Sequence, residues 1–324
     1  MAVEEMADPV PGPGEALVRV GAAGICGGDL HEPAAGRQLY PFPYPRPAQG
    51  HELAGEVVAV GAGVDRVTRG DRVAVQPMVS CEACEECARG RFALCPVLEH
   101  IGVARSGGFA ELCVAPAANL FRLPAEVSFE EGALLDCTAV AVHALARAPV
   151  GRGETVTVLG AGAVGLAIAQ LARARGGEVT LVATREAPLA VARALGIEHT
   201  VDLSLGEHPP AGAAVVFETA GGRDPVARAV AAAGAGARIG LVGETFEQQV
   251  LDAEQAMARE LTLAFVWSHD GRSEYEAALA LAASAAVRLE PAVTHRFPLD
   301  ALELALATAA DRARTGAVKV IVTP

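Results

Sequence analysis

The chain has 324 residues, 52% hydrophobic and 20% charged, so it can bury one large or two ordinary domain cores and is not a disordered chain. Lys and Arg number 26 against 39 Asp and Glu, for a formal net charge of −13. With that balance and no basic run, neither a nucleic-acid nor a membrane partner is expected, since phosphate backbones are bound mainly through Lys and Arg. The only lysine is Lys319, which excludes a P-loop lysine and leaves little scope for Schiff-base chemistry.

Acidic Glu4 and Glu5 stand where a signal peptide would carry a basic segment, so a cytoplasmic location is expected. The seven cysteines are then expected to be thiols, metal ligands or buried hydrophobes, not a disulfide framework. Residues 155–172 carry no charge, but Gly160, Gly162 and Gly165 interrupt them. That pattern predicts a strand, a glycine turn and a helix instead of a bilayer span.

After the Pro- and Gly-rich residues 9–14, short apolar runs follow: EALVRV, ELAGEVVAV and DRVAV. Gly, Pro and Asp separate them, as in an antiparallel, barrel-like domain. Clustered cysteines at 81–95 break the pattern, and ELCVAP and FRLP close the first half. Beyond about residue 138 the texture becomes strand, helix, strand, helix: VTVLG, an alanine-rich helix, VTLVA, LAVARALG, AVVFET, VARAVAAA, ARIGLVG and LTLAFV. That alternation predicts a parallel sheet covered on both faces. Near residue 268 it stops; helices around EYEAALALAASA, the segment THRFPL and a last strand, AVKVIV, finish the chain.

Gly160-Ala-Gly162-Ala163-Val164-Gly165 is a GxGxxG turn placed after a predicted strand and before a predicted helix. The first glycine permits the tight turn, the second lets a pyrophosphate approach the backbone, and the third lets helix and strand pack closely. The helix N-terminus supplies N–H donors to the phosphates. The end of the next strand falls at Val182-Ala183-Thr184-Arg185, with no acid before Glu186. A small residue, a hydroxyl and a guanidinium suit a 2′-phosphate, so NADP is favoured, with NAD as the alternative. Val242, closing the ARIGLVG run, joins the candidate cofactor contacts.

Cys81, Cys84, Cys87 and Cys95 read C-x2-C-x2-C-x7-C. Four thiolates fit a closed tetrahedral zinc site with no open position for chemistry. An iron–sulfur cluster is the lesser alternative. A second constellation holds Cys26, within GICGGDLH, and the His51-Glu52 pair, within GHELAGEV. The pair is not a metalloprotease helix, because Gly55 stands where a second histidine would be needed.

Taken together, GICGGDLH at 24–31, GHELAGEV at 50–57, the cysteine lobe at 81–95, GGFAELCVAPAANLFRLP at 107–124, VLGAGAVG at 158–165 and GAVKVIV at 316–322 resemble the zinc-dependent medium-chain alcohol and polyol dehydrogenases. The resemblance implies an α/β protein: a GroES-like β-barrel catalytic domain (1–137 and 268–324) interrupted by a Rossmann domain (138–267), with the active site in the cleft between them. It further implies that Cys26 and His51 bind a catalytic zinc, that Asp29 is the partner of the zinc histidine, and that the chain forms a homodimer or homotetramer. The family's third zinc ligand comes from the helix entering the Rossmann domain. Here that segment is Leu134-Leu135-Asp136-Cys137-Thr138, so Asp136 is placed first, with Cys137 or an incoming Glu52 as alternatives.

Two departures stand out. The family carries a hydroxyl two residues after the zinc cysteine, to pass the substrate proton outward; here that residue is Gly28, so water or His31 must take over. Met1 also falls where the family's first strand is usually complete, so a short edge hairpin is expected to be missing, and 202–212 is short. The resulting expectation is a zinc-dependent, NADP- or NAD-linked oxidoreductase for a polar secondary alcohol or ketone. In such an enzyme the metal supplies Lewis acidity and a hydride passes to or from the nicotinamide. With Cys26 thiolate, neutral His51 and Asp136 carboxylate, the zinc site is formally neutral. The rival is an NADP-binding zinc protein without dehydrogenase activity.

Overall fold

The structure, a computed structural model, describes residues 3–30, 48–245 and 247–324. The chain divides into two compact units: residues 1–136, 270–283 and 293–324, and residues 137–269 and 284–292.

The first unit begins with β1 (Glu15–Gly24), where Ala16, Val18, Val20 and Ala22 are buried and Arg19 faces outward. This is the period of two expected of a half-buried strand. It pairs antiparallel with β2 (Glu52–Val60), which pairs with β3 (Arg72–Val75). β4 (Met78–Val79) and β5 (Glu99–His100) form a separate ribbon that brackets the cysteine-rich loop in sequence. β6 (Leu112–Pro116) returns to β1, and β7 (Leu120–Arg122) pairs with β3. A core of Val18, Leu53, Val73, Val75 and Ile101 lies under this sheet.

The second unit is a six-stranded parallel sheet: β8 (Thr155–Leu159), β9 (Glu178–Ala183), β10 (His199–Asp202), β11 (Ala213–Glu218), β12 (Ala233–Leu241) and β13 (Thr262–Phe265). The spatial order is β10-β9-β8-β11-β12-β13. The strand order along the chain switches sides between β8 and β11, the place where open α/β sheets bind ligands at the strands' carboxyl ends. β8, β9 and β11 read as apolar runs because both faces are covered; Val158, Leu181 and Phe217 are wholly buried. Sequence patterning did not reveal β10. Its four residues, His-Thr-Val-Asp, are polar and lie at the sheet edge, where burial imposes little alternation. Residues 284–292 belong to this unit, not to the closing part of the barrel where sequence pattern put them. Gln170 explains it: its Nε2 donates to the Arg288 carbonyl and its Oε1 accepts from the Arg288 N–H, both at 3.0 Å.

The chain then returns to the first unit. β14 (Val293–Pro298) pairs parallel with β15 (Lys319–Thr323), and β15 pairs antiparallel with the end of β1. Among the described residues, no helix is long and apolar enough to cross a membrane.

Candidate active site and metal centres

The end of β1 and the start of β2 are register partners, Gly24 opposite Glu52. Cys26 lies just past the first strand, and His51 just before the second. Asp29 Oδ2 accepts from the Cys26 N–H at 2.9 Å, which folds the turn after Cys26 back onto it. His51 is fixed from the other side. The N–H groups of Gly107, Gly108 and Phe109 donate to the carbonyls of Ala48, Gly50 and Gln49 at 3.0, 2.7 and 2.8 Å. The GGFAEL segment thus clamps the backbone that carries the histidine. Cys26, His51 and Glu52 each present a ligand atom within 4.8 Å of the other two. Asp29 Oδ1 stands 3.6 Å from His51 Nδ1, an electrostatic neighbour beyond hydrogen-bond length.

The charges suit a cation. Burial pushes the Cys26 thiol up, against the pull of His51. Burial works to lower His51, but Cys26 and then Asp29 and Asp136 hold it well above the usual histidine range. Burial also raises Asp29. A divalent metal bound here would replace the protons that this cluster otherwise shares, since binding requires thiolate and neutral imidazole. One soft sulfur and one imidazole nitrogen are donors that zinc takes.

Asp136 reaches this neighbourhood through a short helix, Phe129–Ala133, started by a capping box between Ser128 and Glu131. It lies in the first turn of the following helix, Leu135–Arg147, and is buried. Its carboxylate acts on His51 electrostatically, yet the close three-residue cluster contains Glu52 and not Asp136. Gly28 lies in the helical segment that begins just after Cys26, and His31 lies outside the described residues.

Two neighbours were not foreseen. His100 packs its ring edge-on to His51 with centroids 5.2 Å apart. Its Nδ1 lies 3.0 Å from the Ile101 carbonyl, which assigns the proton to that nitrogen as donor. No sequence spacing links it to His51. The other is Lys319, whose Nζ donates to the Ile25 carbonyl at 2.9 Å and forms an ion pair with the Glu52 carboxylate.

In the cysteine lobe, the sulfurs of Cys84 and Cys87, Cys81 and Cys95, and Cys81 and Cys87 are 3.4, 3.5 and 4.0 Å apart. The edge of a ZnS4 tetrahedron with 2.3 Å bonds is about 3.8 Å. The backbone N–H of Cys81 donates to Cys95 Sγ, and that of Cys87 to Cys84 Sγ, each at 3.5 Å. Backbone N–H groups of Ala83 and Cys84 hold the Cys81 thiol down to about 6. The arrangement fits four thiolates around one metal.

In the second unit, Gly160 takes φ +112°, in the region that favours glycine. Gly162 caps the helix Ala163–Ala174 with open space where a Cβ would stand, and a Cβ at Gly165 would run into the Gly160 carbonyl. The three glycines therefore occupy three different geometries: the turn, the open approach and the tight packing. Thr219 Oγ1 lies 3.1 Å from the carbonyls of both Leu159 and Gly160, bracing the turn from β11. Thr184 is exposed and Arg185 stands at the N-cap position of the next helix without a side-chain cap, both emerging from β9 beside the turn, while Val242 donates its N–H to the Glu218 carbonyl at 2.8 Å. All lie at the carboxyl ends of the strands.

The alcohol dehydrogenase GroES-like domain family matches residues 12–125, and the zinc-binding dehydrogenase family matches residues 163–284. Galactitol 1-phosphate 5-dehydrogenase of Escherichia coli (strain K12) is 32% identical over 95% of this chain and 92% of its own length. The chain belongs to the zinc-dependent medium-chain alcohol and polyol dehydrogenase family. Sorbitol dehydrogenase of Arabidopsis thaliana is 33% identical to the present dehydrogenase over 97% of the chain and 89% of that protein. A crystal structure from Sinorhizobium meliloti 1021, assigned as a zinc-binding dehydrogenase bound to NADP, matches with a TM-score of 0.90 at 31% identity, covering 100% of this chain and 96% of that one. The architecture is accordingly a GroES-like domain with a Rossmann-type sheet. These relationships favour a zinc-dependent oxidoreductase over an inactive NADP-binding relative.

Proposed function

We propose that this dehydrogenase oxidises a polyol-like secondary alcohol, reversibly, with NADP as its preferred cofactor and a catalytic zinc held by Cys26 and His51. The observation that carries the reading is the convergence of Cys26, His51 and Glu52 at the paired ends of β1 and β2. Asp136 is the proposed third ligand, with Cys137 and Glu52 as alternatives, and a second zinc is proposed in the four-cysteine lobe. When bound, the catalytic zinc supplies Lewis acidity toward the alcohol or ketone oxygen. Cys26, His51 and Asp136 would fix it with no formal net charge. Asp29 would orient the imidazole of His51. Since Gly28 offers no hydroxyl, a water molecule or His31 would carry the substrate proton away. The names of relatives, which concern galactitol 1-phosphate and sorbitol, support a polyol substrate. The expected result of a cofactor-reduction screen is turnover with polyols in preference to simple alcohols; reduction confined to simple alcohols would contradict the substrate class.

NADP rests on Ala183, Thr184 and Arg185 following β9 with no acid among them. Among solved relatives one is bound to NADP and another to NADH, so the choice lies in such local residues. Arg185→Ala is expected to weaken NADP binding by about 1–3 kcal/mol, the scale of a charge-assisted hydrogen bond, while NAD binding changes little. Titration with both cofactors checks this; equal losses would make Arg185 an ordinary surface residue. Thr219→Val keeps the shape of the side chain but removes the brace on the glycine turn. It is expected to weaken either cofactor by about fivefold, for about 1 kcal/mol, with the melting temperature nearly unchanged. An unchanged dissociation constant would contradict a role for the brace. A reducing compartment suits thiolate zinc ligands and free Cys113, so the proposed location is the cytoplasm; a homodimer or homotetramer completes the reading.

A further inference from the structure

Glu218 ends β11 as the register partner of Leu159, the residue before the glycine turn, and it is wholly buried. A carboxylate at that depth has lost its hydration and must be held by donors. They come from the chain that follows it. The Ala220 N–H donates to Oε1 at 3.2 Å, and the Gly221 N–H is shared between Oε1 at 3.2 Å and Oε2 at 3.1 Å. Arg228, on the helix Pro225–Ala232, donates through Nη2 to Oε1 at 3.0 Å and to the Gly221 carbonyl at 2.7 Å. Burial raises the Glu218 carboxyl above its usual range, opposed first by Arg228.

A second loop closes on the same residue. Past β12, the N–H groups of Val242 and Gly243 donate to the Glu218 carbonyl at 2.8 and 2.9 Å. A Cβ at Gly243 would lie 2.3 Å from the Gly221 nitrogen and 2.4 Å from Glu218 Oε2, so glycine is what lets the two loops meet there. The Gly222 N–H donates to the Glu244 carbonyl at 3.1 Å, and Thr245 Oγ1 donates to the Gly222 carbonyl at 3.2 Å.

Left to itself, the first of these loops is expensive to order. Gly221, Gly222 and Asp224 all take positive φ, at +62°, +74° and +51°, and glycine loses more freedom on ordering than any other residue. A contact that fixes such a loop before a ligand arrives removes that cost from binding. Both loops leave the carboxyl ends of strands on the β11–β12 side of the switch point, where the crevice for a dinucleotide lies. We propose that Glu218, locked by Arg228, is a positioning residue that pre-orders the paired loops 219–224 and 242–245 for the nicotinamide cofactor. This rests on the reading that the glycine turn binds that cofactor.

The test uses the full-length protein and fluorescence titration with NADPH and NADH. The Arg228 side chain is 40% exposed, so Arg228→Met unlocks the carboxylate without opening the core. It is expected to weaken the preferred cofactor by about tenfold, the scale of one charge-assisted hydrogen bond. The KM for that cofactor should rise in step while the KM for the alcohol stays, and amide hydrogen exchange of residues 219–224 should quicken in the cofactor-free protein. Glu218→Ala is expected to lose about tenfold or more. Glu218→Gln keeps an oxygen for the loop N–H groups and Arg228, and is expected to stay within about threefold of the parent. Parent affinity in Arg228→Met overturns the proposal. So does a lower kcat with unchanged cofactor KM and affinity, the mark of a partly unfolded preparation whose intact molecules bind normally. If Glu218→Ala does not fold, Arg228→Met and Glu218→Gln decide. If the unsubstituted protein binds neither NADPH nor NADH, the glycine-turn reading fails first and takes the proposal with it.

Discussion

Cys26→Ala is expected to release one zinc per chain, keep the other, and lower alcohol oxidation by about a thousandfold. The Lewis acid contributes several kcal/mol of charge stabilisation in the transition state, and each 1.36 kcal/mol is about tenfold in rate. The side chain lies at the end of a strand whose core residues the substitution does not touch. The melting temperature should therefore change little beyond what the loss of bound metal explains. Zinc analysis, cofactor titration and turnover on the same preparation check this. Full zinc content with normal turnover would remove Cys26 from the site. Unchanged nicotinamide affinity is part of the expectation, because the glycine turn lies in the other unit.

Cys84→Ala is expected to have the largest effect on folding. The lobe from Cys81 to Cys95 is rich in exposed charge at Glu82, Glu85, Arg89 and Arg91, and its helix Glu85–Ala88 is only four residues long. A helix that short is not stable alone, and Cys87 and Cys95 are the principal buried side chains of the loop. Metal ligation is therefore left as the source of its order. Zinc supplies about 10–16 kcal/mol to small zinc folds at neutral pH. Loss of even part of this should lower the melting temperature sharply or lead to aggregation, with one zinc fewer per chain. A variant that melts like the parent with its zinc intact would contradict a structural metal. The two substitutions should be separable: Cys26→Ala loses activity with the fold kept, whereas Cys84→Ala loses the fold first.

The parts of the molecule that sequence revealed are those written in local chemistry. Alternation along β1, the apolar runs of β8, β9 and β11 and the glycine turn each specify their geometry within a few residues. The four cysteines converge as their spacing implies. What remained hidden depends on register and crossing. β10 is polar and too short to show a period. His100 meets His51 only because the ribbon of β4 and β5 folds back onto the first unit. Lys319 lies 267 residues after Glu52 in the chain, and only the pairing of β15 with β1 brings their charges together. The proposed third ligand lies between these cases. Resemblance placed Asp136 at the position, and the structure sets it in the electrostatic field of His51 but groups Glu52, and not Asp136, with Cys26 and His51.

Hydride transfer between a nicotinamide cofactor and a polar secondary alcohol is expected to depend on zinc in this dehydrogenase. The most direct measurement is the reduction of NADP and NAD by a polyol panel, before and after stripping and restoring the weaker-bound zinc. Polyol-dependent reduction is expected to stop when that zinc is removed and to return when it is restored. Reduction that persists without it, or no reduction by any alcohol from protein carrying two zinc ions per chain, would contradict the account.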